Sequence, residues 1–219
     1  MLEDLTILVP TYWSNQMFLN CIHSVMSTNP GIKVLGYKND IGWLNACNEM
    51  MASVTTDVVL LNDDTVVLSD IQGAIRKVLQ HVPDAGIIGG KALSIDQETI
   101  INYGIHIAPD GNTAHKFYGS PRNSVQMMAQ QAVEGSLMWI SRKVINAIGY
   151  MDQRYTMGYR AEVDYCFRAI EAGYKVVSTP DIEYIHFVSQ TSGPLGIAND
   201  TYDVFMEQWG KKLRLGSIR

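Results

Sequence analysis

The first ninety residues alternate short apolar runs with segments in which apolar residues recur at helical spacing. The runs, each short enough for a buried strand, cover residues 5–9, 32–35, 58–61 and 85–89. The segments with helical spacing between them cover residues 18–26, 44–51 and 71–79. This alternation predicts an α/β fold with a mainly parallel central sheet and helices on both faces.

The second half of the chain has a less regular pattern. Strand-like runs, rich in β-branched and aromatic residues, cover residues 103–107, 132–140, 176–177 and 182–187. The apolar spacing predicts helices over residues 142–148, 162–172 and 202–209. Residues 109–123 are rich in Gly, Pro, Asn and Ser, which predicts a long loop of the kind that often carries function.

Composition and charge exclude several classes of protein. The chain has 219 residues, enough for one domain, and a net charge of -5, which argues against a nucleic-acid partner. It has no apolar run of the ~18 residues that span a membrane, and its acidic start does not resemble a signal peptide. Three widely spaced cysteines form no metal motif and favour a reducing compartment, so a cytoplasmic location is expected.

The carboxyl ends of parallel strands are where α/β proteins bind ligands, and two of these ends are polar. The first strand ends in Pro10, Thr11 and Tyr12, and the third is followed by Asn62-Asp63-Asp64. Adjacent carboxylates after an apolar strand are costly to bury, and a divalent cation with oxygen ligands would relieve that cost. An ordinary turn is the alternative interpretation, because Asn and Asp favour turns.

Three further residues are candidates for chemistry in the second half. Glu162 and Asp164 lie at the start of a predicted helix, where acidic residues also serve as ordinary partners of the helix dipole. His186 follows an apolar strand, although a single histidine is more often structural. Each of these residues is only a moderate indication of a functional site on its own. Their order along the chain is the stronger indication.

That ordered set of motifs resembles family 2-type glycosyltransferases of the GT-A fold, especially their rhamnosyltransferase-like branch. The matching segments are residues 5–11 (first strand), 39–48 ("N-x-G-F…N"), 60–65 (the "L-L-N-x-D" form of the DxD motif), 149–152 ("G-G-F-D"), 161–174 ("E-D-V-D-L-C-x-R…A-G-Y") and 186–192 ("H…S"). No single motif is specific, and the likeness covers about residues 4–193.

The resemblance implies one GT-A domain over residues 1–219. Its nucleotide-sugar half would be residues 1–90, its acceptor and catalytic half residues 91–195, and its C-terminal helix and basic tail residues 196–219. The implied activity is a metal-dependent, inverting transfer of a sugar from a nucleotide-diphospho sugar to a hydroxyl of a glycan, a lipid-linked acceptor or a protein. Residues 109–123 and 134–136 are expected to line the acceptor side.

The resemblance also implies roles for individual residues. Asp64 and His186 would bind Mn²⁺ or Mg²⁺. Contacts to the nucleotide-sugar donor would come from Pro10, Thr11, Tyr12, Asp40, Gly42, Asn62 and Asp63. The general base is Glu162, with Asp164 as the alternative, because the family's Glu-Asp pair falls on Ala161-Glu162.

Two further departures from the family pattern leave alternatives open. The strand whose Asp contacts the nucleotide base is missing or merged within residues 27–37, so Asp40 is the candidate to replace that Asp. The short segment after the last motif leads us to expect no extra C-terminal domain that would dictate an acceptor. The basic tail, residues 211–219, predicts a solvated end, a flap over the donor diphosphate, or contact with an anionic membrane.

A non-catalytic sugar- or partner-binding relative and a sugar-phosphate nucleotidyltransferase are the alternative functions.

Overall fold

The computed structural model describes residues 4–11, 16–38, 41–155, 160–187 and 201–218. Tyr12 and Asp40, both expected to contact the donor, lie outside these ranges. The strands are β1 (Leu5–Thr11), β2 (Lys33–Lys38), β3 (Asp57–Leu61), β4 (Thr65–Val67), β5 (Ala85–Leu93), β6 (Ile100–Asn102), β7 (Ile105–Ile107), β8 (Thr113–His115), β9 (Met128–Ala129), β10 (Leu137–Ile140) and β11 (Lys175–His186). The helices are α1 (Gln16–Thr28), α2 (Trp43–Ala52), α3 (Ile71–His81), α4 (Arg142–Ile148), α5 (Ala161–Glu171) and α6 (Tyr202–Arg214).

A mixed, mainly parallel sheet forms the centre of the molecule, with strand order β2-β1-β3-β10-β5-β11-β4. Strands β1, β2, β3, β5 and β11 run in one direction, and β10 and β4 run against them. The predicted α/β class is therefore confirmed. Insertion of β10 between β3 and β5 brings the segment before it to the carboxyl ends of its neighbours.

Both faces of the sheet are covered at its centre, which explains why the central strands β1, β3, β5 and β10 are buried along almost their whole length. Successive side chains of a strand point to opposite faces. In β1, Leu8 packs in the cluster that includes α2, α4 and α5, whereas Ile7 packs in the cluster that includes α1 and α3. Among the described residues, no helix has both the length and the apolar character needed to cross a lipid bilayer.

Three strand and loop predictions need correction. The runs 176–177 and 182–186 belong to one strand, β11, which ends one residue before the predicted stop and whose register against β5 shifts between Ser178 and Glu183. Pro180 lies within this shift. Proline lacks a backbone N–H, and it is tolerated in a strand at such a bulge because no ladder hydrogen bond is required of it there. The predicted loop 109–123 contains β8, which forms a hairpin with β7.

The predicted strands 103–107 and 132–140 are shorter than expected. Only residues 105–107 of the first form a strand, β7, because Gly104, with a positive φ of 103°, separates β7 from the preceding β6. Only residues 137–140 of the second form β10. The segment before β10 carries Glu134 and Gly135, and its position becomes important at the candidate site.

Candidate active site

Asp64 and His186 lie side by side at the edge where β3 and β11 end. Strand β4 pairs antiparallel with β11, placing His186 opposite Thr65, and the Phe187 amide donates to the Asp64 carbonyl at 3.0 Å. Sheet register therefore brings the two side chains together. The His186 Nε2 lies 3.3 Å from Asp64 Oδ1, and both residues are less than one-tenth exposed.

A second carboxylate reaches the other nitrogen of the same imidazole. The Glu134 Oε1 lies 3.3 Å from His186 Nδ1. Burial alone would lower the pKa of His186, but the close contacts with the carboxylates of Asp64 and Glu134 outweigh it and raise this pKa to about 10. Burial opposes ionisation of Glu134, yet its close contact with His186 holds the pKa of this carboxyl below its usual value. Such a negative pocket attracts a cation.

Asp64 and His186 fit part of a divalent metal site. Asp64 Oδ1 is buried and makes no hydrogen bond of normal geometry, although it faces the imidazole. Among the described residues, no group of three or more His, Cys, Asp or Glu side chains is arranged to hold an ion. A carboxylate and an imidazole suit Mn²⁺, and Mg²⁺ is commonly bound by one or two carboxylates together with substrate phosphates and water. The pair therefore fits an ion that arrives with a phosphate-bearing ligand.

The ends of β1 and β3 come together beside this pair. Thr11 makes a side-chain hydrogen bond to Asp63; burial raises the pKa of Asp63, and this hydrogen bond partly offsets the increase. The side-chain oxygen of Asn62 accepts a hydrogen bond from Trp43 Nε1 at 2.8 Å. Thr11, Asn62 and Asp63 thus lie at one edge, as expected for residues that contact a common ligand.

Two other expected donor contacts have backbone roles. Pro10 is buried within β1, which continues to Thr11 beyond the predicted stop. Strand β3 pairs with β1 only as far as Leu8, so Pro10 lies where β1 has a neighbour on one side only. Gly42 has a positive φ of 88° and precedes the first residue of α2, so it sets the direction in which that helix begins.

Glu162, in the first turn of α5, approaches the segment that carries Glu134. A Cβ at Gly135 would lie 3.0 Å from the Trp43 ring, so the missing side chain permits the close approach of this ring, and 3.6 Å from the Cβ of Glu162, which is an ordinary contact distance. Burial raises the pKa of Glu162 to about 7, and the negative charge of Glu134 contributes to the increase. A carboxyl with this pKa can accept a proton near neutral pH.

Asp164, the alternative base, faces a different part of the molecule. It is completely buried and accepts hydrogen bonds from Arg168 Nε at 2.8 Å, Gln208 Nε2 at 2.7 Å and Trp209 Nε1 at 2.9 Å. Two of these donors belong to α6. Residues two apart on a helix do not share a face, so Asp164 anchors the C-terminal helix while Glu162 approaches Gly135.

Two contacts at the site were not expected from the sequence. Glu134 was assigned to the acceptor side, with no role beside His186, and the only signal for it was an acidic residue between apolar segments at a strand start. Asn48 exchanges two hydrogen bonds with the backbone of Met151, at 2.8 and 2.9 Å. This clamp ties α2 to the segment following α4, which gives a structural reason for the Asn of the "N-x-G-F…N" motif.

No protein-family model matches the sequence, and no curated protein is significantly similar to it. Solved structures with a similar fold include GalNAc-T7 with UDP, GalNAc and Mn²⁺ (TM-score 0.66, 10% identity, 84% of this chain and 44% of that chain). A mannosyltransferase, PcManGT from Pyrobaculum calidifontis, in complex with GDP-Man and Mn²⁺, has a TM-score of 0.59 at 13% identity over 87% of this chain and 59% of that chain. A197 from STIV has a TM-score of 0.58 at 9% identity over 85% of this chain and 87% of that chain.

This chain thus spans about half the length of the two transferases, and at these identities the likeness concerns the fold. The strand order, the helices on both faces and the superposition with both transferases lead to one conclusion. The protein has the GT-A glycosyltransferase fold.

Proposed function

We propose that this protein is a metal-dependent, inverting glycosyltransferase that moves a sugar from a nucleotide-diphospho sugar to an acceptor hydroxyl. The observation that carries the proposal is the contact of Asp64 with His186, 3.3 Å apart at the carboxyl edge of the sheet. Fold alone does not determine function, because one fold hosts many activities. The support from the comparisons is that two structures of similar fold hold a nucleotide or a nucleotide sugar together with Mn²⁺.

In this proposal Asp64 and His186 hold the divalent ion against the diphosphate of the donor. The ion, when bound, offsets the negative charge that grows on the leaving diphosphate. Asp63, hydrogen-bonded to Thr11, and Asn62, hydrogen-bonded to Trp43, orient the nucleotide at the ends of β1 and β3. Mn²⁺ is preferred over Mg²⁺ because imidazole suits it better.

Glu162 is the general base of the proposed reaction. It accepts the proton of the acceptor hydroxyl as that oxygen attacks the anomeric carbon from the face opposite the diphosphate, which inverts the configuration. A positioned base of this kind contributes roughly 10²–10⁴ to the rate. Asp164 is unsuited to the role because three donors from α5 and α6 already occupy its oxygens.

The acceptor side is proposed to lie beside the β7–β8 hairpin. The tip of this hairpin is held against α6, where the Tyr202 hydroxyl donates to the Asp110 carbonyl at 2.6 Å. On β8, His115 is exposed and close enough to Glu134 for its charge to help lower the pKa of that carboxyl. An acceptor that binds along this hairpin would reach the proposed base from outside the donor edge.

Calorimetry with a panel of nucleotide sugars, with and without Mn²⁺, tests the proposal, followed by an assay for release of the nucleoside diphosphate. The expected result is donor binding that requires the metal, together with slow hydrolysis of the bound donor or transfer to an added acceptor. Metal-dependent donor binding with neither activity would support a non-catalytic binding protein. Preference for a nucleoside triphosphate and a sugar phosphate would support a nucleotidyltransferase.

A further inference from the structure

The imidazole of His186 contacts a different carboxylate with each of its nitrogens. Nε2 faces Asp64 Oδ1 and Nδ1 faces Glu134 Oε1, both at 3.3 Å, and Nδ1 is buried without a hydrogen bond of normal geometry. A histidine that binds a metal through one nitrogen commonly donates the N–H of the other nitrogen to a carboxylate, which fixes the tautomer and the ring orientation. Glu134 lies where such a partner would be.

Glu134 is itself held in place by the sheet. The backbone N–H of Asn62 donates to the Ser136 carbonyl at 2.9 Å, and β10 begins opposite Leu61 of β3. The Ser136 hydroxyl is hydrogen-bonded to the Tyr184 hydroxyl at 2.8 Å, and Ser136 also hydrogen-bonds the Glu134 carboxylate. These contacts join the segment before β10 to β3 and β11, the strands that lead to Asp64 and His186.

The Glu134 carboxylate is buried beside the imidazole. The Glu134 side chain is only 17% exposed, and its Oε2 is buried without a hydrogen bond of normal geometry. An ionised carboxylate is costly to bury unless it is paired. Its polar partners in the described residues include the His186 imidazole, 3.3 Å away, and the Ser136 hydroxyl, so the contact with His186 helps to offset the cost of burying Glu134.

We propose that Glu134 is a positioning residue that accepts the Nδ1–H of His186 and thereby presents Nε2 to the divalent ion beside Asp64. This inference rests on the proposed function, because it assumes that Asp64 and His186 bind that ion. Glu134 acts through His186 and is not itself a ligand of the metal.

Binding of Mn²⁺, followed by the electron paramagnetic resonance signal of the free ion, tests the role without any catalytic assay. Each protein is titrated with the ion alone and again with UDP or GDP present. Glu134→Ala is expected to weaken Mn²⁺ binding by about 10- to 100-fold, the usual effect of removing the outer partner of a metal-binding histidine. Glu134→Gln should recover most of the loss, because its amide oxygen still accepts from Nδ1. Glu207→Gln, an exposed change on α6, is the matched control and should bind like the wild type.

A second comparison separates position from charge and remains informative if the Ala variant does not fold. Glu134→Asp keeps the charge but withdraws the oxygen by one methylene, so it should bind Mn²⁺ more weakly than Glu134→Gln. The opposite order would overturn the positioning role in favour of a purely electrostatic one.

Asp64→Ala serves as the reference for loss of a direct ligand. If Asp64→Ala abolishes Mn²⁺ binding while a folded Glu134→Ala binds normally, the inference about Glu134 fails and the proposed function stands. If Glu134→Gln loses as much affinity as Asp64→Ala, Glu134 is a ligand, which also overturns the positioning role. If Asp64→Ala binds Mn²⁺ like the wild type, the metal site of the proposed function fails as well.

Discussion

The indole N–H of Trp43 donates to the side-chain oxygen of Asn62 at 2.8 Å, which joins the start of α2 to the segment after β3. Asn62 immediately precedes Asp63 and Asp64. The bond therefore fixes the beginning of the acidic segment from the side of the second helix. The same indole packs over Gly135, so one aromatic side chain contacts two of the segments that form the candidate site.

Replacing Trp43 with Phe tests this connection. The variant keeps an aromatic ring over Gly135 but loses the hydrogen bond, which should cost about 1 kcal/mol of unfolding free energy. Because Asn62 is released, donor affinity measured by calorimetry should fall even where the protein is fully folded. Unchanged donor affinity would mean that the acidic segment is held without help from α2.

Asp64→Ala should weaken donor binding and remove its dependence on Mn²⁺ together. The reason is that the carboxylate binds the donor only through the ion it shares with His186. Calorimetric titration of the nucleotide sugar with and without Mn²⁺ measures both effects. Asp181→Asn, which removes an exposed carboxylate paired with Lys77, is the control and should leave both quantities unchanged.

Glu162→Gln should leave donor affinity nearly intact and lower the transfer rate by roughly 10²–10⁴, because an amide cannot accept the proton. In the wild type, kcat/KM should fall as the pH drops through about 7, where the Glu162 carboxylate becomes protonated. A profile of kcat/KM against pH, measured at about ten values between roughly pH 5 and pH 9, checks this expectation. A variant that transfers sugar at the wild-type rate would remove Glu162 from the mechanism.

The same carboxyl should reduce stability at alkaline pH. Burial raises its pKa in the folded protein to about 7, so the folded state binds a proton that the unfolded state has already released. The stability from that proton is complete below the unfolded pKa and is lost as the pH rises through about 7. The Glu162→Gln variant should therefore have a larger unfolding free energy than the wild type at pH 8 and a similar one at acid pH. Urea unfolding at both pH values measures this difference.

Asp164→Ala should affect stability far more than chemistry. It leaves Arg168 without its buried carboxylate and removes the acceptor of Gln208 and Trp209, and breaking a buried ion pair costs about 3–5 kcal/mol. Hydrogen exchange should show that the loss of amide protection is concentrated in α6. The activity per folded molecule should remain measurable at low temperature, whereas complete inactivity of a folded variant would transfer the role of the base to Asp164.

The class of fold could be predicted because burial on both faces makes each central strand a continuous apolar run. The two-strand interpretation of β11 failed because Thr179, Pro180 and Asp181 resemble a turn, whereas a local register shift carries them within one strand. The β7–β8 hairpin was missed because its polar second strand, β8, is exposed and has no apolar alternation.

The candidate site was predictable only where its residues lie at strand ends. Asp64 follows β3 and His186 ends β11, two strands of the same direction, so both could be placed at the carboxyl edge of the sheet. Their contact depends on β4, which pairs antiparallel with β11 and was not predicted from the apolar pattern. The contact of Glu134 with His186 depends on the insertion of β10 between β3 and β5, which local pattern does not encode. The choice between Glu162 and Asp164 depends on Gln208 and Trp209, which are distant in the chain and donate, together with Arg168, to the Asp164 carboxylate.

The fixation of α5 by Asp164 links the C-terminal helix to the proposed base, since Glu162 and Asp164 stand in the first turn of the same helix. Fraying of α6 on warming would release two of the three hydrogen bonds to Asp164 and loosen the turn that carries Glu162. Thermal inactivation would then begin at the C-terminal helix and precede the melting of the sheet.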